Sequence, residues 1–202
     1  MTAAPLAATR PAAEATTTIV IGSGFSALAV AAELNRQGIK AIVVDSFCPL
    51  GQATVPQPVT GSISLADLSE RSEILRLLEN YARRHSLDIR PSTQALELTR
   101  QPHEAQAHRQ WRVRTATGTL SAHSVVFTRG ALSQLRRVLH SVGVTTAADV
   151  RDGMHSLGLY LVGVGDLAIP STQEILHQAK RAGQSIKSRV AIPEAGHALA
   201  FA

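Results

Sequence analysis

Cysteine is nearly missing from this sequence: Cys48 is the single one in 202 residues. No intramolecular disulfide can form, and without a CxxC or CxxxxC pair the chemistry of disulfide reductases is excluded. A lone thiol agrees with a reducing, cytoplasmic setting. Aromatic residues are scarce, with one Trp, two Tyr and four Phe, too few to assemble the stacking platform of a nucleic-acid-binding surface. The eight histidines show no metal-ligand spacing, so no metal site is expected. No hydrophobic run is long enough to span a membrane. The net charge of +5 is spread out, with pairs at Arg83-Arg84, Arg136-Arg137 and Lys180-Arg181 on predicted helices. Such pairs read as solvated helix faces, and a mild basic excess suits an anionic ligand by long-range attraction. Residues 1–17 are rich in Ala, Pro and Thr, with Arg10, Pro11 and Glu14 interrupting any apolar core. They read as a disordered tail and not as a signal peptide.

What the sequence does have is concentrated between Thr18 and Asp45, TIVIGSGFSALAVAAELNRQGIKAIVVD. A β-branched run meets Gly22-Ser23-Gly24-Phe25-Ser26-Ala27, which opens an Ala-rich helical stretch; a second apolar run then ends in Asp45. This is the dinucleotide-binding βαβ pattern with Ala in the third small position. Gly22 allows the tight strand-to-helix turn, Gly24 lets a pyrophosphate approach the backbone, and Ala27 lets the helix pack on the sheet. The helix start offers unpaired N–H groups and a positive dipole end to phosphates. Asp45 lies 23 residues after Gly22, where a carboxylate can accept from ribose hydroxyls.

The rest of the chain is long enough for one domain, 18–190, with a second tail at 191–202. Residues 26–37 have helical spacing stopped by Gly38, and 39–45 read as a strand buried on both faces. Residues 46–64 form a long irregular loop rich in Pro and Gly. A helix is predicted over 67–85, then a short strand at Leu87 and Ile89 stopped by Pro91. Residues 93–100, 110–115 and 119–121 read as three antiparallel strands, the last two joined at Thr117-Gly118. A buried strand over 124–128 follows, then a short helix over 132–140 and an irregular polar stretch over 143–156. An apolar run over 157–164 ends in Gly163-Val164-Gly165-Asp166. Ser171 and Glu174 have capping-box spacing and open a helix to about Val190. The fold class is therefore α/β: a Rossmann-like fold with a central parallel sheet, helices, and an inserted β-meander at about 93–121.

These pieces together resemble the FAD-binding domain of two-dinucleotide-fold flavoproteins, the flavin-dependent monooxygenases above all. The likeness rests on the glycine unit with Asp45 and on Gly51-Gln52 in the following loop. It rests also on the strand running through Ser124–Thr128 into Gly130, and on Gly158-Leu-Tyr-Leu-Val-Gly163 before the last helix. The resemblance implies FAD as cofactor, with contacts from Gly22, Ser23, Gly24, Phe25, Ser26 and Ala27 around the pyrophosphate. It implies Asp45 at the adenosine ribose, Ser46 among the cofactor contacts, Gly51 and Gln52 beside flavin or substrate, and Gly130 at the adenine half. Gly165 and Asp166, or the backbone near Gly163, would meet the ribityl chain; with the late strand aligned at Gly158-Leu159, Val164 falls on the family's Asp position in place of Asp166. The amides that follow Ser171, with Thr172, would point at the pyrimidine edge of the flavin. Thr128-Arg129-Gly130 departs from the family's Ala-Thr-Gly. Full monooxygenases also carry a second glycine-rich βαβ unit for NADPH between stretches like Gly130 and Gly158, and here only about 27 residues separate those two glycines.

The resulting expectation is an FAD-dependent oxidoreductase of minimal size, monooxygenase- or oxidase-like, without an NAD(P)H domain of its own. It would act on a small molecule, as a homo-oligomer or with a partner subunit or reductase, and bind neither nucleic acid nor membrane. Two alternatives stay open: a non-catalytic flavin-binding subunit of a heteromeric enzyme, and an NAD-linked dehydrogenase. No catalytic acid, base or nucleophile emerges; Cys48 reads as packing, and His123 and His155 as surface or structural.

Overall fold

A computed structural model describes residues 13–45, 64–101, 110–128, 131, 135, 138–140, 150–164 and 170–195. In chain order the elements are β1 (Glu14–Ala15), β2 (Thr18–Ile21), α1 (Phe25–Arg36), β3 (Ala41–Asp45), α2 (Leu65–Arg84) and β4 (Asp88–Arg100). There follow β5 (Trp111–Thr115), β6 (Thr119–Ala122), β7 (Ser124–Thr128), α3 (Val150–Ser156), β8 (Leu159–Val162) and α4 (Thr172–Ala195). Among the described residues the strands form one sheet in the order β1-β6-β5-β4-β3-β2-β7-β8. The stretch β4-β3-β2-β7-β8 is parallel, β4-β5-β6 is the antiparallel meander, and β1 pairs parallel with β6. The α/β, Rossmann-like class expected from the sequence is the class observed.

The period of two in a strand decides which core each residue joins. Ile19, Ile21, Val125, Phe127 and Leu159 face one side, packed with Trp111, Val113 and Leu120 of the meander and with Leu135, Val138, Leu139 and Met154. Val20, Val43, Val126, Tyr160 and Val162 face the other side, under Ala27, Val30 and Leu34 of α1 and Ile175, Ala179 and Ile186 of α4. Both faces of the parallel strands are covered, which is why they read as continuous apolar runs. The Ala-rich stripe of α1 has its reason in the same place: Ala27, Ala29, Ala31 and Ala32 are buried because α1 is in close contact with both α4 and the sheet. Trp111, fully buried, donates from Nε1 to the Leu157 carbonyl (2.7 Å) and ties the meander to the entry of β8.

Four expectations differ from the structure. The strand expected to stop at Pro91 and the strand expected from Thr93 are one element, β4. Its pairing with β3 slips between Val44↔Arg90 and Asp45↔Gln94, so Pro91 lies in a bulge where no ladder N–H is needed. The next residue, Ser92, takes up the bend at φ 66°. Within the stretch read as an N-terminal tail, Glu14 and Ala15 form β1. A forked ion pair from Arg90 to both Glu14 oxygens (2.6 and 2.7 Å) holds that short strand across 76 residues of chain. Residues 150–156 of the stretch read as irregular form α3, whose polar sequence shows no apolar stripe and in which Met154 is buried. Finally, α4 runs on to Ala195, past the expected stop near Val190 and through Pro193 in its last turn, where a missing N–H costs one bond.

Candidate functional site

The parallel strands β2, β3, β7 and β8 end at Ile21, Asp45, Thr128 and Val162, and the crevice beyond such ends is where open α/β sheets take their ligands. Gly22 leaves β2 at φ +137°, with its N–H given to the Val44 carbonyl (2.9 Å). A methyl group at Gly22 would overlap Thr128 Oγ1 at the end of β7. Thr128 is buried, and its hydroxyl donates to the Ile21 carbonyl (3.1 Å). The first glycine is therefore required here by a neighbouring strand and not only by the turn.

Gly24 is different. It is the cap residue of α1 at φ +78°, and among the described residues nothing lies within 4 Å of where its Cβ would be. No side chain caps the helix from that position. Ser23 and Gly24 are exposed, Phe25 and Ser26 half-buried, and Ala27 is packed into the core. Open space over a positive-φ glycine, at a helix start with polar N–H groups and no side-chain acceptor from its cap residue, fits a dinucleotide pyrophosphate.

Gly163 closes the other side of this cradle. It leaves β8 at φ +80°, and a Cβ there would run into Ser26 Oγ on the first turn of α1. Its N–H is used internally, donating to Gln178 Oε1 (2.8 Å), so it is not on offer to a ligand. The expected ribityl contact from the backbone near Gly163 would have to come from other groups.

Asp45 is half-buried at the end of β3, and its Oδ2 accepts from the Ser92 amide (2.9 Å) at the β4 bulge. One carboxylate oxygen thus holds the bulge, which leaves the other for any ribose contact of the kind expected for Asp45.

At the start of α4, Ser171 Oγ accepts from the Glu174 amide (3.2 Å), the cap read from the sequence. The next amide is spoken for: Thr172 N donates to Asp67 Oδ1 of α2 (2.9 Å). Arg71 completes the knot, donating from Nε to Thr172 Oγ1 (3.1 Å) and from Nη2 to the Pro170 carbonyl (2.9 Å) and Asp67 Oδ2 (3.2 Å). Its guanidinium also lies 5.7 Å from the ring centre of Phe25, a cation–π contact with the glycine loop. The Thr172 amide bond, ahead of other causes, holds the Asp67 carboxyl below the usual carboxylate range. Thr172 is buried in this network, so the expectation that both Ser171 and Thr172 face a flavin meets a protein carboxylate in place of one of them.

Sequence reading missed Thr128 as the partner of Gly22, the Asp67–Arg71 pair and Gln178. An Asp and an Arg four apart on a helix signal a local ion pair. Nothing local says that they reach across to Pro170 and Thr172. Ser46, Cys48, Gly51, Gln52, Arg129, Gly130, Gly165 and Asp166 lie outside the described residues. A groove of about 430 Å³ also lies between α1, α2 and α4, lined by Leu77, Leu78, Tyr81, Leu176 and the Glu33–Arg36 pair. It sits on the helical face, away from the strand ends, and brings together no glycine cradle. Among the described residues no helix is long and apolar enough to cross a membrane.

No protein-family model matches this sequence, and no curated protein does. Among solved structures the chain is similar to Thermovibrio ammonificans THI4, at 14% identity and a TM-score of 0.56, covering 88% of this chain and 90% of that one. It is also similar to a thioredoxin reductase from Gloeobacter violaceus (17% identity, TM-score 0.36, 56% of this chain). A flavin monooxygenase from Stenotrophomonas maltophilia gives 21% identity and a TM-score of 0.36 over 57% of this chain. The chain spans 36% and 38% of the length of those last two proteins. The THI4 likeness extends over nearly the whole chain and agrees with the Rossmann-like fold.

Proposed function

We propose that this chain binds FAD at the β2–α1 glycine loop and serves as the flavin domain of an oxidoreductase acting on a small molecule. The observation that carries this is Gly24, where a positive-φ glycine opens empty space over the uncapped start of α1. Gly22, Gly24 and Ala27 would hold the pyrophosphate, and the free oxygen of Asp45 would accept from the adenosine ribose. Bound FAD would supply a two-electron carrier between a substrate and an acceptor. The chain's own residues orient it, with the α1 dipole at the phosphates and Gly163 against Ser26 setting the width of the cradle. The 30 residues between β7 and β8 are too few for a second nucleotide-binding unit. Electrons would then come from the substrate or from a separate reductase, and a homo-oligomer mate or partner subunit would cover the flavin.

The NAD-linked dehydrogenase reading has one observation in its favour: Asp67 occupies the first amide of α4, where a flavin ring would need it. Spectroscopy separates the two. Purified protein, or protein given FAD and desalted, is expected to be yellow with a bound-flavin spectrum that anaerobic NADPH alone does not bleach. A colourless protein would contradict FAD binding, and rapid bleaching by NADPH would contradict the missing pyridine-nucleotide site.

A further inference from the structure

Val162 is the last residue of β8 paired with β7 among the described residues. Of the four backbone polar groups on the next two residues, Gly163 and Val164, one side chain holds two. Gln178 of α4 accepts from the Gly163 N–H at Oε1 (2.8 Å) and donates from Nε2 to the Val164 carbonyl (3.1 Å). A carboxamide can do both because it presents an acceptor and a donor side by side, as a neighbouring strand would. Gln178 is half-buried between the core residues Ile175 and Ala179, so its stem has little freedom. Upstream, α4 is anchored to α2 by the Asp67 and Arg71 bonds to Thr172 and Pro170. Within the clamp, Gly163 is pressed so close to Ser26 that no side chain fits between them.

We infer that Gln178 is a positioning residue of the dinucleotide site. It holds the exit of β8 against the first turn of α1 and so fixes the wall facing Gly24. The inference rests on the FAD reading for its ligand, while the clamp itself can be measured without any ligand. Gln178 touches neither Gly24 nor the space above it, and acts only through Gly163 and Val164. Without the clamp, two backbone groups must turn to water, and the cradle widens at Ser26.

The test uses the full chain as wild type, Gln178→Met and Gln178→Glu. Methionine keeps the length and loses both bonds; glutamate keeps the acceptor for Gly163 and loses the donor to Val164. In the ligand-free protein, amide hydrogen exchange at Gly163 is expected to speed up about tenfold or more in Gln178→Met, with the α4 amides of Ala179 and Ala182 unchanged. FAD affinity is expected to fall about tenfold or more, read by flavin fluorescence, while thermal melting stays cooperative. Gln178→Glu is expected to keep Gly163 protected and to lie between the other two in affinity; it remains informative if the methionine variant does not fold. Unchanged exchange at Gly163 in Gln178→Met would overturn the clamp. Faster exchange with unaltered FAD affinity would overturn its role in the site. Wild-type protein that takes up no FAD would overturn the cofactor reading and the positioning role with it, while the exchange data would still report on the clamp.

Discussion

At the scale of single residues, two glycines of one motif are glycines for different reasons. Gly24 meets no described residue within 4 Å of a Cβ, and its demand is a positive φ. Gly22 faces Thr128, and its demand is steric: the Thr128 hydroxyl fills the volume a Cβ would need. Gly22→Ala is therefore expected to destabilise the protein by about 1–3 kcal/mol through overpacking, with a further cost from the positive φ. In a Thr128→Ala background the same substitution should cost less, leaving a coupling of about 1 kcal/mol in a urea-denaturation cycle. Strictly additive costs would show that the contact is not the source of the constraint. Asp45 carries a comparable double duty, since one oxygen already holds the Ser92 amide. Its removal would disturb the β4 bulge along with any ribose contact.

At the scale of elements, the sequence was most legible where one physical cause acted alone. The β2–α1–β3 unit was readable because burial on both faces makes runs such as TIVI and AIVV, and because Gly38 ends α1 at φ +76°. The hairpin at Thr117-Gly118 was readable from its turn residues, and Thr115 and Gly118 do close it by a 2.8 Å backbone bond. Legibility failed where a distant partner overrode a local signal. Pro91 signals a stop, yet β4 passes through it because the bulge spares its missing N–H. Two residues are too few for a strand pattern, yet β1 forms because Arg90 grips Glu14. In the candidate site, the glycine cradle was legible as a motif. The residues that shape it, Thr128, Gln178, Asp67 and Arg71, were not, because their partners lie far away in sequence.

The α2–α4 junction offers a test at this scale. The Asp67 carboxyl is held below its ordinary value, so its contribution to stability is present above the unfolded-state pKa of about 4 and lost as pH falls through the lower folded-state value. Asp67→Asn is expected to melt at a lower temperature than wild type at neutral pH, and the gap should close as the pH falls below about 4. A gap that persists unchanged in acid would mean that the charged cap on Thr172 is not what joins the two helices.

At the scale of the whole molecule, a parallel sheet covered on both faces points the ends of β2, β3, β7 and β8 at one crevice. The meander packs under one face through Trp111, and α1 with α4 covers the other. The glycine loop of α1 and the Gln178-held exit of β8 come together at that crevice. On the proposed reading this crevice is the dinucleotide site and FAD its ligand. Calorimetric titration of FAD into wild type and Gly24→Val tests it: no described residue lies within 4 Å of a Cβ at Gly24, so the variant's cost to the protein is backbone strain at φ +78°, which a melting curve reads separately from FAD binding. One FAD per wild-type chain is expected, with at least about a hundredfold weaker binding by a Gly24→Val variant that still melts cooperatively. Equal FAD binding by both proteins, or wild-type binding of NAD with no response to FAD, would contradict it.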